Sequence, residues 1–271
     1  MRRARTEPHP QTAKKMAGAA RSVTAATASI DGMSMYYEIH GEGEPLLLLH
    51  GFGGAAGDWR AIAADLPAHY QLIIPELRGH GRSTNPLPEI THRQCAGDVL
   101  ALLDRLGVAS CKAIGVSGGA NTLLHMATRE RGRIAAMVLV SATSYFPEPA
   151  RAFMRQFTTD TLSADDMRLM RQRHPGGDAQ IEAIFVQARA FQHSYDDMNF
   201  TPPLLSTIAA RALIVSGDRD PLYPVRIALE MYEAIPHSYL WIIPNGGHGP
   251  IAGAMRAPFV ATAAAFLRGD W

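Results

Sequence analysis

The sequence predicts an α/β fold: a doubly wound, mostly parallel sheet carrying an inserted helical cap. Three observations carry that prediction. Short apolar runs alternate with helical segments along most of the chain, as they do where crossover helices cover a parallel sheet. Several runs, among them PLLLLH (45–50), QLIIPEL (71–77) and RALIVSG (211–217), are nearly continuously apolar, as in strands buried on both faces. The alternation also stops between Ser144 and about Thr207, where only helical spacing is found, and then resumes.

ATASIDGMSMYYEIHG places two alternating runs around Asp31–Gly32, the signal of a hairpin with a type I′ turn. PLLLLH is the first buried strand. DWRAIAADLPAH follows with Trp59, Ile62 and Leu66 at helical spacing and Asp58 as the expected N-cap. After the strand QLIIPEL, the segment 91–108 puts Val99, Leu102, Leu103 and Leu106 on one helical face and ends at Gly107. CKAIGV reads as a strand, ANTLLHMATRER as a helix and IAAMVLVSA as a strand. The second half adds RALIVSG, the helix PVRIALEMYEAI, the strand HSYLWII and a last helix from about Pro258 to Leu267. Between the two halves lie three helical segments, PARAFMRQF, SADDMRLMRQR and DAQIEAIFVQARAFQHS, separated by RHPGGD and followed by the break NFTPPLL. An insertion at about 144–207 follows a strand's C-terminal end, where open α/β sheets bind ligands. It is expected to cap a site.

The chain has 271 residues, of which 47% are hydrophobic, enough for one sizeable core and too many for a disordered chain. Residues 1–28 are the exception. They are rich in Ala, Thr and Arg and poor in large apolar side chains, so they are expected to form a flexible basic tail. Residues 1–21 hold six Lys/Arg against Glu7 alone, which leaves a body of net charge −4 beneath an overall +1. That balance gives no electrostatic case for nucleic acid. No apolar run reaches the length of a membrane span, and no h-region follows Arg2–Arg3 to make an export signal. Cys95 and Cys111 are expected to be buried thiols of a reducing, cytoplasmic protein. The 11 histidines show no metal-ligand spacing, so neither a metal nor a cofactor is expected. A domain over 29–271 could act as a monomer or a homodimer.

The chemistry is expected at AIGVSGGAN. Gly115-Val116-Ser117-Gly118-Gly119 fits G-x-S-x-G between a buried strand and a helix. Small residues two positions either side let the strand and helix pack around a strained serine. A serine hydroxyl needs a base, and the base needs an orienting carboxylate. After RALIVSG come Asp218 and Asp220; after HSYLWII comes His248 between glycines. The order Ser, acid, His at successive strand ends is the one this mechanism uses on such a sheet.

With LLLLHGFGG, ELRGHGRST, GVSGGA, SGDRDPLYP and GGHGP in order, the chain from about residue 30 onward resembles the α/β-hydrolase superfamily, in particular its capped serine esterases. The resemblance implies a catalytic triad of Ser117, Asp220 and His248, the acid being the one in G-x-x-D, with Asp218 a turn residue. It implies an oxyanion hole from the backbone N–H groups of Gly118 and Phe52. His50, Arg78, His80 and Ser83 are expected to shape loops, and Glu76 stands where the family usually has Asp. Gly118 departs from the larger residue common after the serine. A serine at position 117, rather than the aspartate of sister enzymes, implies an acyl-enzyme. The expected activity is carboxylesterase-like hydrolysis of a small-molecule ester without a cofactor. C–C bond hydrolysis, enol-lactone hydrolysis and cofactor-free perhydrolysis use the same triad, and some proteins of this fold are small-molecule receptors. Met154, Phe157, Met167, Met170, Phe185, Phe191, Tyr195 and Phe200 are the candidates to line the cap's underside; Arg155 and Arg189 could meet a substrate carboxylate, but solvated helix faces are the expected reading.

Overall fold

A computed structural model describes residues 21–87 and 89–271. In chain order the elements are β1 (Val23–Ile30), β2 (Met33–His40), β3 (Glu44–Leu49), α1 (Arg60–Asp65), β4 (Tyr70–Pro75), α2 (His92–Arg105), β5 (Cys111–Val116), α3 (Gly118–Arg129) and β6 (Ile134–Val140). The insertion follows with α4 (Glu148–Met154), α5 (Ala164–Arg173), α6 (Gly177–Ala190) and α7 (Pro202–Leu205). The chain then returns to the sheet with β7 (Arg211–Gly217), α8 (Val225–Ala234), β8 (Ser238–Ile243) and α9 (Arg256–Arg268).

The strands form one sheet in the order β1-β2-β4-β3-β5-β6-β7-β8. The β1–β2 and β2–β4 pairings are antiparallel; those from β4 through β8 are parallel. The hairpin closes on Asp31 and Gly32, with φ of 44° and 79°, the two positive values a type I′ turn requires. In the central strands the pleat divides the core in two. Leu47, Leu49, Ala113, Met137, Leu139 and Ile214 pack beneath α2, α3 and α8. Leu46, Leu48, Ile114, Val138, Leu213 and Val215 pack with Trp59, Ile62, Phe259 and Phe266 on the other face. Both faces are covered, which is why these strands read as apolar runs. Cys95 and Cys111 are buried free thiols, and burial pushes both thiols up.

Three boundaries differ from the sequence expectation. The tail does not extend to residue 28: Val23–Ile30 pairs along its whole length with β2, and Arg21 donates to the carbonyls of Ala63 and Leu66. VTAATASI is short on bulky residues because it is an edge strand whose first half is largely exposed. Residues 1–20 of the expected tail lie outside the described residues. Asp58 is not the cap of α1; its carboxylate accepts from Ala55 N–H and from Arg173. NFTPPLL is not only a break, since Pro202 and Pro203 open the short α7.

Candidate active site

The parallel topology brings the C-terminal ends of β3, β5, β7 and β8 to one edge of the sheet. Ser117 follows β5 directly, at φ 51° and ψ −116°, backbone geometry that costs about 1–3 kcal/mol for a residue with a side chain. The glycines around it are dictated by contact. A Cβ on Gly115 would stand 2.7 Å from the backbone of Gly119 and Ala120, and one on Gly119 would stand 2.3 Å from the Leu49 carbonyl oxygen. The elbow can therefore form only with no side chain at either position.

His248 lies in the loop after β8. Its Nε2 is 2.8 Å from Ser117 Oγ and its Nδ1 is 2.8 Å from Asp220 Oδ2. Asp220 Oδ1 accepts from the N–H groups of Leu222 and Tyr223. Burial works to raise the Asp220 carboxyl, but the His248 hydrogen bond and these two N–H donors outweigh it, and the group is held below its ordinary value. An ionised Asp220 accepts a hydrogen bond from Nδ1–H, and the neutral imidazole then presents its Nε2 lone pair to the serine. The Tyr223 ring stands edge-on to the imidazole at 5.2 Å. Asp218 is exposed and takes no part.

The loop after β3 carries Phe52. A Cβ on Gly118 would be 3.3 Å from Phe52 N, so the Phe52 backbone lies close against Gly118, the residue after Ser117. His50 is fully engaged elsewhere: Nδ1–H donates to the Gly51 carbonyl and Nε2 accepts from Leu77 N–H. It shapes this loop, as expected. Arg78 forks onto Asp98 through Nε and Nη2, at 2.9 and 2.7 Å. Ser83 Oγ donates to the Glu76 carbonyl, and the wholly buried Glu76 carboxylate accepts from Arg82 and from Ala56 N–H.

A cavity of about 570 Å³ opens over Ser117 and His248. Met154, Phe157, Met170, Phe185 and Phe191 line it, joined by Phe146, Phe153 and Ile184. Three of the expected residues do not: Met167 packs behind the wall, Tyr195 is exposed beneath the Arg151 guanidinium, and Phe200 packs on His125. Arg155 and Arg189 pair with Glu148 and Glu182 on helix surfaces, as the solvated alternative holds. The cationic side chain at the cavity is instead Arg173, anchored to Asp58.

Two further features had no motif to announce them. His174 is buried at the end of α5, where Nδ1 accepts from Gly81 N–H and Nε2–H donates to the Gly53 carbonyl. One imidazole thus ties the insertion to the Phe52 loop and to the loop after β4. His92, the first residue of α2, also lines the cavity, with Nδ1 2.7 Å from Asp197 Oδ2.

The family profile described as alpha/beta hydrolase fold matches residues 44–179. Among relatives, a candidate carbamate hydrolase (RutD) of Caulobacter sp. (strain K31) is 26% identical, with the alignment covering 90% of this chain and 98% of that one. The 2-hydroxymuconate semialdehyde hydrolase of Pseudomonas putida is 26% identical over 77% of this chain and 82% of its own. Among solved structures, the esterase RhEst1 from Rhodococcus sp. ECU1013 superposes with a TM-score of 0.70 at 26% identity, covering 92% of this chain and 99% of that one. With its sheet order, its elbow and a profile match across half of its length, this chain belongs to the alpha/beta hydrolase fold family.

Proposed function

We propose that the protein is a serine hydrolase that transfers an acyl group to Ser117 and then to water, with carboxylic esters as the substrate class. The observation that carries this is the hydrogen-bonded chain from Ser117 through His248 to Asp220, two contacts of 2.8 Å between residues far apart in sequence. In the forward step the Ser117 hydroxyl gives its proton to His248 Nε2 as Oγ attacks the carbonyl carbon. Asp220 holds the Nδ1 proton and stabilises the imidazolium. The developing oxyanion is received by the N–H groups of Phe52 and Gly118, each worth about 3 kcal/mol in the transition state. His248 then protonates the leaving alcohol, accepts a proton from the attacking water in the second half-reaction, and returns it to Ser117 Oγ as the Oγ–acyl bond breaks and the acid leaves. The insertion between β6 and β7 acts as the cap, and its Met and Phe side chains suit an apolar acyl or alcohol group.

The Pseudomonas relative favours a second reading, cleavage of a C–C bond beside a carbonyl on the same triad, and the RutD relative a carbamate. Steady-state hydrolysis of a p-nitrophenyl ester series, wild type beside Ser117→Ala, separates these. Repeated turnover that falls about a thousandfold in the variant supports the ester reading. Equal inertness of the two proteins overturns it and moves the C–C and carbamate substrates ahead.

A further inference from the structure

Two histidines that line the cavity, His248 and His92, are each paired with an aspartate, and acyl transfer uses only one of the pairs. The second is His92 with Asp197, contributed by α2 and by the insertion. The Asp197 carboxylate accepts from His92 N–H at 2.8 Å, from Arg93 N–H at 3.0 Å and from the imidazole at 2.7 Å. Burial works to raise this carboxyl, but the His92 contacts and the backbone N–H groups outweigh it and hold the group down at about 2. In the neutral imidazole the hydrogen bond to Asp197 puts the proton on Nδ1 and leaves the Nε2 lone pair as the acceptor. Phe191 stacks on the ring at 5.0 Å, and the side chain is only 6% exposed. Among the described residues no hydrogen-bond donor reaches Nε2.

Gly118 shows where that lone pair stands. A Cβ there would be 3.5 Å from His92 Nε2, 3.3 Å from Phe52 N and 3.5 Å from Phe52 Cβ. The acceptor therefore lies close to Gly118 and Phe52, the residues whose N–H groups are proposed to hold the oxyanion. Gly118 places no side chain between His92 and the Phe52 backbone, where the family commonly has a larger residue. An acceptor without a protein partner favours a ligand that supplies a donor, and the cavity wall around it is mostly aromatic and aliphatic.

We infer that His92 Nε2 is a substrate-recognition group that accepts a hydrogen bond from a hydroxyl on the acyl portion, within a few bonds of the reacting carbonyl. The enzyme would then prefer hydroxyacyl substrates over plain apolar ones. The identity of the ligand rests on the acyl-transfer reading; the location of the acceptor does not.

The test uses 4-phenylbutanoate and its 2-hydroxy and 3-hydroxy counterparts as probes. Their binding to Ser117→Ala is measured by calorimetry, with and without His92→Leu or His92→Gln, and turnover of their ethyl esters by the wild type is followed in parallel. One hydroxy acid is expected to bind about tenfold tighter than the parent acid. His92→Leu should abolish that advantage, and His92→Gln, which keeps an acceptor, should retain part of it. Should His92→Leu fail to fold, the 15N resonance of His92 Nε2 in Ser117→Ala supplies the same answer: it should move with the hydroxy acid and not with the parent. An advantage that survives His92→Leu, the absence of any advantage, or an unmoved Nε2 resonance overturns the inference. If the advantage follows His92 while no ethyl ester is hydrolysed, the inference stands and the acyl-transfer reading falls. If the esters turn over and the advantage ignores His92, the reverse holds.

Discussion

Two aspartates stand two residues apart after β7, and geometry gives them different work. Asp220 meets His248 at 2.8 Å, while Asp218 is exposed. Asp220→Asn should lower kcat on a good ester by roughly three to four orders of magnitude, because the amide can hold the ring with its proton on the wrong nitrogen. Asp218→Asn should stay within about twofold of wild type, as surface changes do. Parallel assays of the two variants check this, and comparable losses would mean that the acid has been misassigned. At this scale the sequence was informative for a physical reason. Ser117, Asp220 and His248 each follow an apolar strand and sit among small or turn-forming residues, so a one-dimensional pattern records their place. His92 and Asp197 carry no such mark. Their pairing spans 105 positions and joins a helix start to the insertion, and neither flank predicts it.

The elements that place the cap were legible as helices but not in how they dock. Periodicity shows that α5 and α6 exist; it does not show that His174, Gln180 and Gln187 fasten them to the body. Gln180 donates to the carbonyls of Gly79 and Gly81, and Gln187 bridges the N–H and carbonyl of Ile90. These are side chain to backbone contacts across about 100 residues, which leave no local trace. His174 bonds to the loop that carries Phe52, so His174→Ala should loosen the oxyanion side of the cavity as well as the cap. The expected result is a rise in KM of roughly tenfold and a lower melting temperature, with phosphonate labelling of Ser117 retained. Unchanged KM and melting temperature would show that this tie is dispensable. The N-terminal part of β1 was lost to the expected tail because its Ala and Thr residues bury little on their own, and only pairing with β2 gives them a place.

Across the whole molecule, burial pushes down the imidazoles of His50, His80, His125 and His174, His125 to about 4. Each is therefore neutral in the folded protein near neutral pH, whereas the unfolded chain titrates near 6.5. Below that value the unfolded state binds more protons, so the stability they contribute is fully present above about pH 6.5 and is lost as pH falls toward their folded values. Asp197, depressed from 3.8 to about 2, continues the loss across that lower window, to the extent of roughly 2 kcal/mol. The melting temperature should be level from pH 7 to 8 and fall progressively from about pH 6.5 downward. His125→Gln should reduce the slope between pH 6.5 and 4. A flat profile through that range would contradict the buried, neutral assignment.

The central claim is that Ser117 is an activated nucleophile, and an aryl phosphonofluoridate tests it most directly because it reports the nucleophile without any assumption about the leaving group. After incubation with the reagent, intact-mass and peptide mass spectrometry should find a single phosphonyl adduct on Ser117. The adduct should be absent from Ser117→Ala and should form about a hundredfold or more slowly in His248→Gln. No adduct, an adduct on another residue, or labelling of Ser117 at the same rate without His248 would contradict the account.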